Sequence, residues 1–499
     1  MEEKINPIAH RILFLNTLAF TICFAVWTFN GVMVTYLVDN NVFQWGAVEI
    51  GWLLGIPILT GSVLRLPMGI LTDRYGGKRV FVGLLLCCAI PMYLMAFATS
   101  FAQFAILSFG FGMAGAAFAV GIAFTSVWYP KHWQGRALGI FGAGNAGAAL
   151  TTLFAPTLLN QLTRNGENLE NWRILPQIYA GVLVLMAVVF LVFTVNKKPD
   201  APPRTLKKVL SPLSNIRVWR FGYYYFLVFG CFVAFAQWLV PYFTNVYGAS
   251  LVVAGLFASL FSLPSGLIRA LGGWMSDKLG ARRVMFGVFK WSIALSALLM
   301  VPKMDIFTPG KGVVAASDGT VTSIENESIS INNVPYSFRP RSHVETQIEN
   351  PEGIALYLPY KYTWQEPVVS EGDNVRRKEL LAQGTTLISF QAHMWVYAIL
   401  VLIIGIVWGI GKAGVYRFIP DYFPSEVGVV GGMVGVIGGL GGFVCPILFG
   451  YLLDWTGLWT SSWMLMLIIS ITCYYWLQKV VRSIIKSHSP QIAERIEKP

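Results

Sequence analysis

Long apolar stretches alternate with short polar joints as far as residue 302, stop, and resume at about residue 391. A helix needs about 20 apolar residues to cross the bilayer core. The pattern predicts twelve membrane helices, near 12–37, 47–71, 79–99, 102–127, 137–160, 174–195, 219–245, 250–275, 283–302, 392–418, 428–452 and 458–479. The polar start from Met1 to Arg11 is not followed by a short apolar core with a small-residue cleavage site, so the first stretch reads as a retained helix. Residues 303–390 break the pattern, with Pro, Ser, Asn and charge around the β-branched runs Val313-Val314 and Thr320-Val321-Thr322 and the turn signal Asp318-Gly319. They predict a small β-rich insert. With 55% hydrophobic and only 12% charged residues among 499, the chain reads as a polytopic, all-α membrane protein.

The chain repeats itself. Arg65-x3-Gly69-x3-Asp73 recurs as Arg269-x3-Gly273-x3-Asp277, every member displaced by 204 residues. Further along, Trp128-Tyr129-Pro130 matches Phe418-Ile419-Pro420, and Gly142 and Pro156 match Gly432 and Pro446, now displaced by 290. The growth in offset places about 86 extra residues between the ninth and tenth spans, which is the insert. The organisation expected is a six-helix bundle at 1–196, a cytoplasmic linker at 197–218, a second bundle at 219–302 and 391–480 interrupted by 303–390, and a cytoplasmic tail at 481–499. Parallel repeats of this kind build transporters whose site lies near the midplane between the halves.

Charge then sets the orientation. Arg74, Lys78, Arg79, Lys131, Arg136, Lys197, Lys198, Arg204, Lys207, Lys208, Lys278, Arg282, Arg283, Lys479, Arg482 and Lys486 all fall on one side. Loops 38–47, 98–103, 246–250 and 453–460 on the other side hold no Lys or Arg, and Arg164 and Arg173 are offset by Glu167 and Glu170. By the positive-inside rule the basic side and both termini are cytoplasmic, in the inner or plasma membrane, and the insert is periplasmic or extracellular. The net charge of +12 therefore reports topology and not a nucleic-acid partner, since no basic, aromatic-interleaved soluble domain accompanies it. All six cysteines lie in apolar spans, which indicates neither disulfides nor a zinc site. The five histidines lie outside the span centres, against a histidine proton relay.

The loops Asp73-Arg74-Tyr75-Gly76-Gly77-Lys78-Arg79 and Asp277-Lys278-Leu279-Gly280-Ala281-Arg282-Arg283 resemble the loop that major facilitator proteins carry after their second and eighth helices. The resemblance implies a cytoplasmic charge latch formed by Asp73, Arg74, Arg79, Asp277 and Arg283, with tight turns at Gly76 and Gly280. Arg65 and Arg269, the run from Gly142 through Asn145 to Gly147, the run from Gly438 to Phe443, and the stretch from Gly411 to Pro420 together resemble the nitrate/nitrite porter family of that superfamily, nearest its nitrate/proton symport branch. This likeness covers all twelve spans and omits the insert.

The residues support an anion site on their own chemistry. A guanidinium at bilayer depth costs about 2.5–3.5 kcal/mol on insertion scales, so two placed symmetrically have a function. A salt bridge would be the alternative, but Glu49, Asp73, Asp277, Asp421, Glu426 and Asp454 all lie near span ends. A planar oxyanion offers only acceptors, and two guanidinium forks supply donors and permanent charge. Asn145 adds an amide donor, while Gly144, Gly147, Gly439 and Gly442 either expose backbone to the anion or permit close helix packing. Phe24 and Trp27 recur at an offset of 208 as Phe232 and Phe235, and can wall the pocket or simply pack. The resemblance favours the walls, since the family sandwiches its anion between aromatic rings at these helices. Lys412 is the remaining cation of interest, either snorkelling or exchanging a coupling proton. No coupling residue is required if nitrate exchanges for nitrite.

Enzymatic readings fail on inventory, with no G-x4-G-K-[ST] loop, paired carboxylates or Cys/His cluster, and no cofactor is expected. In the insert, Gly312 to Val321 and Val368 to Val375 resemble the half-motifs of biotinyl/lipoyl-type barrel-sandwich modules, without a modifiable lysine motif. Such a module packs on the membrane unit or contacts a protein partner outside the membrane. The reading is a nitrate or nitrite transporter. Its rivals are a carrier of another small anion, such as a short carboxylate, and an anion sensor that does not transport.

Overall fold

The computed structural model describes residues 7–198, 210–301, 303–349, 359–424 and 426–488. The linker cations Arg204, Lys207 and Lys208 and the tail residues 489–499 lie outside the described residues. The chain divides into a helical unit, up to Ala297 and from Ala398 onward, and a β-rich unit, Leu298–Tyr397.

Among the described residues of the helical unit, ten helices are long and apolar enough to cross a membrane: Pro7–Asp39, Ala47–Tyr75, Gly77–Phe97, Phe101–Ser126, Arg136–Leu162, Leu169–Phe193, Ile216–Tyr247, Met394–Tyr422, Val427–Thr456 and Ser461–Ser483. Leu251–Leu267 and Arg269–Leu279, bent by 43°, form an eleventh. The ninth position in the order is filled by Ala281–Leu299, whose 19 residues reach about 28 Å at 1.5 Å each. It carries Arg282, Arg283 and Lys290, so it is less apolar than the other spans.

Many spans are irregular at mid-depth. The first breaks between Trp27 and Asn30, and the second at Leu64. The fourth and fifth tighten to 3-10 turns at Gly112–Ala116 and Ala143–Ala146. The seventh widens to a π-turn at Phe226–Cys231, the eighth breaks at Ile268 and the eleventh at Leu440. Pro67 opposes the carbonyl of Val63 and so accounts for the second break. The eighth follows Pro264-Ser265-Gly266, the composition at which sharp kinks occur.

The two halves of the helical unit meet along a seam of small residues. On the second and eleventh spans, Cβ atoms at Gly51 and Gly450 would overlap the Pro446 and Ala47 carbonyls. One at Gly55 would stand 2.7 Å from Phe443 O, and one at Gly442 2.7 Å from Ile58. At the other end of the same spans, Gly69 and Gly432 meet nothing within 4 Å. The seam is therefore tightest away from the loops that follow Asp73 and Asp277. The fifth and eighth spans repeat the device, since a Cβ at Gly255 would overlap Thr152 O.

In the β-rich unit, β1 (Lys303–Val314), β7 (Leu380–Gln391) and β5 (Tyr360–Pro367) form one antiparallel sheet in the order β1-β7-β5. Lys303 pairs with Gln391, which brings the start and end of the excursion together. The second sheet runs β4 (Val334–Ser337), β3 (Ser328–Ile331), β2 (Gly319–Ile324), β6 (Asn374–Val375). Asn332 and Asn333, at φ 48° and 67°, form the tight β3–β4 turn, a conformation asparagine tolerates. Val321, Ile329, Ile331, Val375 and Leu381 fill its core.

The second and eighth spans continue to Tyr75 and Leu279, past the apolar stretches 47–71 and 250–275, because backbone hydrogen bonds extend a helix whatever its side chains. Gly76 and Gly280, both at φ 85°, end them. A side chain in that region costs on the order of 1–3 kcal/mol. At Gly280 a Cβ meets open space, whereas at Gly76 it overlaps the Asn196 amide, which donates to Tyr75 O at 3.0 Å. Gly76→Ala is accordingly expected to lower the melting temperature of detergent-purified protein by more than Gly280→Ala; the reverse order would contradict this account.

Candidate functional site

Arg65 and Arg269 are each the first residue after the break in their span. Arg65 is buried, and its Nη1 donates to Gly435 O at 2.8 Å while Nε donates to Gly115 O at 3.4 Å. Its guanidinium carbon lies 5.2 Å from the ring centre of Phe229, 5.3 Å from Phe118 and 5.5 Å from Trp27. That of Arg269 lies 5.8 Å from the same Phe118 ring and 5.5 Å from Tyr416. Two like charges thus share one phenyl ring. Among the described residues neither is paired with a carboxylate, the ion pairs being those of Arg173, His343 and Arg417.

Each guanidinium also reaches across to a glycine-rich span of the opposite half. Cβ atoms built on Gly435 and Gly439 would stand 3.6 and 3.4 Å from Arg65 Nη1, and one on Gly142 3.6 Å from Arg269 Nη1. Arg269 Nη1 is buried with no hydrogen-bond partner in the protein. So are both amide atoms of Asn145, in the 3-10 turn of the fifth span. Buried polar groups are nearly always satisfied, and leaving one unpaired costs about 1–3 kcal/mol. Arg269 and Asn145 thus offer polar atoms without protein partners on the eighth and fifth spans, inside an apolar bundle.

The other residues singled out from sequence divide by position. Trp27 faces Arg65 and donates from Nε1 to Pro57 O at 2.7 Å. Phe24 sits edge-on behind it, 5.3 Å away, and packs on Phe20. Gly144 and Gly147 lie against Phe20 and the Thr21 carbonyl of the first span, and Gly442 against Ile58 and Val233. These glycines serve close packing, and only Gly439 faces an arginine. Phe232 stacks on Phe261, and Phe235 stacks on Trp463 at 4.0 Å, away from both guanidiniums. Lys412 is fully buried with Ser265 and Phe232 as partners.

Near the loops, Asp277 accepts from Arg417 Nε at 2.7 Å, Arg417 Nη1 binds Asp421, and Arg282 donates to Tyr422. In the other half Lys78 donates to Thr194 O and Arg74 covers the Tyr75 ring. Arg79 and Arg283 are exposed, and Asp73 is half-buried.

Phe118, Phe229 and Tyr416 were not among the sequence candidates. Tyr416 donates to Gly431 O at 3.1 Å and stands edge-on to Tyr225. Its position within Gly411–Pro420 was the available signal. Phe118 matches Trp408 at the offset of 290, whereas Phe229 has no aromatic partner at the repeat offsets; neither could be told from a core aromatic.

Comparison with known proteins identifies the family. Residues 15–323 match the model of the Major Facilitator Superfamily. The probable nitrate/nitrite antiporter NarK1 of Thermus thermophilus is 35% identical over 99% of this chain and 97% of its own length. The probable nitrate/nitrite transporter NarK2 of Mycobacterium tuberculosis is 32% identical over 58% of this chain and 70% of its own. An inward-facing bacterial homolog of the human lysosomal transporter Spinster has the same fold, with a TM-score of 0.63 at 13% identity over 97% of this chain and 99% of that one. The chain belongs to the Major Facilitator Superfamily and, within it, to the nitrate/nitrite porter family.

Proposed function

We propose that this chain carries nitrate and nitrite across the cytoplasmic membrane by alternating access, as a carrier and not an enzyme, with both termini in the cytoplasm. The observation that carries the reading is that Arg65 and Arg269 lie 5.3 and 5.8 Å from the Phe118 ring centre without a carboxylate, with Arg269 Nη1 and the Asn145 amide unpaired. A planar monoanion supplies what the pocket lacks, acceptors for the free donors and one negative charge for two positive ones. Phe118, Phe229, Trp27 and Tyr416 form walls suited to a flat ion.

The two halves rock about the bound anion. Because Arg65 is in one half and Arg269 in the other, an anion between them relieves their repulsion and favours closure. Drawing an anion into a negative-inside cell costs about 2.3 kcal/mol per 100 mV, so uptake runs with protons or against outgoing nitrite.

The first test is counterflow of labelled nitrate in proteoliposomes, with nitrite, chloride and formate as competitors. Arg65→Lys and Arg269→Lys should each lower flux by more than ~100-fold, since lysine loses the planar fork. Flux indifferent to both substitutions, or inhibited best by formate, would replace this reading with that of a carboxylate carrier. Asn145→Ala is expected to weaken nitrate binding about tenfold, the worth of one charge-assisted hydrogen bond, with Phe235→Leu unchanged as the control. For the rocking step, Gly51→Leu should cut counterflow at least ~10-fold by wedging the seam, while equilibrium nitrate binding stays within a few-fold; unchanged flux would mean that the seam does not close during transport.

A further inference from the structure

Lys412 is unexplained by the anion pocket. It is completely buried, its Nζ donates to Ser265 Oγ at 3.0 Å, and it lies 3.1 Å from the ring centre of Phe232. No carboxylate reaches it among the described residues. Ser265 is four residues before Arg269, one turn away on the eighth span.

The helices packed around this stretch contribute few charges. The seventh span brings Val228 and Phe232, and the ninth brings Met285, Val288 and Ser292, none of which ionises. From the eighth come Ser265, Ile268 and Arg269, and Arg269 is the charge that acts on Lys412. On its own span, Tyr416 lies one turn further and faces Arg269. Arg65, Arg269 and Lys412 are thus three cations in one apolar volume, and of the three only the lysine can release its charge. Its partner suits both forms, because the ammonium donates to Ser265 Oγ and the neutral amine can accept from the same hydroxyl.

We propose that Lys412 Nζ carries the coupling proton of transport. The amine takes up one proton as the anion settles between Arg65 and Arg269, because the anion offsets the field of Arg269. When the anion leaves on the other side the field returns, and Nζ releases the proton there. One proton then moves with one monoanion, the step carries no net charge, and the two ligands favour each other's binding reciprocally. This inference rests on the transport reading above.

Proteoliposomes separate the two. Wild-type protein should accumulate nitrate when the outside is acidified, with little response to an imposed potassium-diffusion potential. Lys412→Gln should lose at least ~10-fold of that pH-driven accumulation yet keep nitrate/nitrite counterflow within about threefold, because exchange needs no net proton movement. Lys412→Arg, which keeps the charge and cannot release it, should behave in the same way. Undiminished pH-driven accumulation in Lys412→Gln, or none in the wild type, would overturn the proposal. So would a folded, monodisperse Lys412→Gln that no longer binds nitrate, since Lys412 would then belong to the anion pocket. Absent counterflow in the wild type would instead remove the transport reading, and this inference with it.

Discussion

Two guanidiniums held against one phenyl ring without a counter-ion are the constraint around which the helical unit is organised. Arg65 and Arg269 cannot neutralise themselves, and each would be expelled from an apolar interior unless its charge were distributed. The structure distributes it over π-faces and backbone carbonyls. Phe118 is shared, Phe229 and Trp27 serve Arg65, Tyr416 serves Arg269, and the Gly115 and Gly435 carbonyls accept from Arg65. These partners soften the cost of burial while leaving Arg269 Nη1 unsatisfied.

That arrangement depends on how closely the backbones approach. The arginines reach the opposite half at Gly142, Gly435 and Gly439, where a Cβ at Gly439 would overlap Ser62 and one at Gly435 would crowd the Tyr416 hydroxyl, while one at Gly142 would make ordinary contact with Arg269. The same small residues continue along the seam to Gly51 and Gly450, where carbonyls lie too near for any Cβ. Helix contacts made through glycine bury little side-chain area. They can therefore open and close at modest cost, in keeping with helix association in lipid, where the hydrophobic effect contributes little. The first, second, eighth and eleventh spans each break near the middle of their length.

Much of this was legible beforehand. Hydropathy located the helices, and the paired Arg-x3-Gly-x3-Asp frames pointed to the arginines and to symmetry. Buried charge has so few explanations that a single residue type is informative. Aromatics and glycines are different, because each has a common packing role that sequence cannot separate from ligand contact. Phe24 and Trp27 share the offset of 208 with Phe232 and Phe235, yet only Trp27 of the four lies over a guanidinium. Gly144 and Gly147 sat in the most suggestive run and pack on the first span, whereas Gly435, which accepts from Arg65, lay outside the chosen residues.

The amino-acid order alone determined which segments are apolar enough to enter the membrane, where the β-rich insert interrupts the repeat and which two cations lie within apolar helices. Those follow from transfer free energies, which are local and additive along a helix. What only the tertiary structure decided is which neighbours those cations find. The sharing of Phe118, the reach of each guanidinium into the opposite half, the unpaired amide of Asn145 and the Ser265 partner of Lys412 all depend on contacts between residues distant in the chain. Such contacts are set by helix rotation and by the depth of each break, and a hydropathy profile contains neither, because it averages over the faces of the helix.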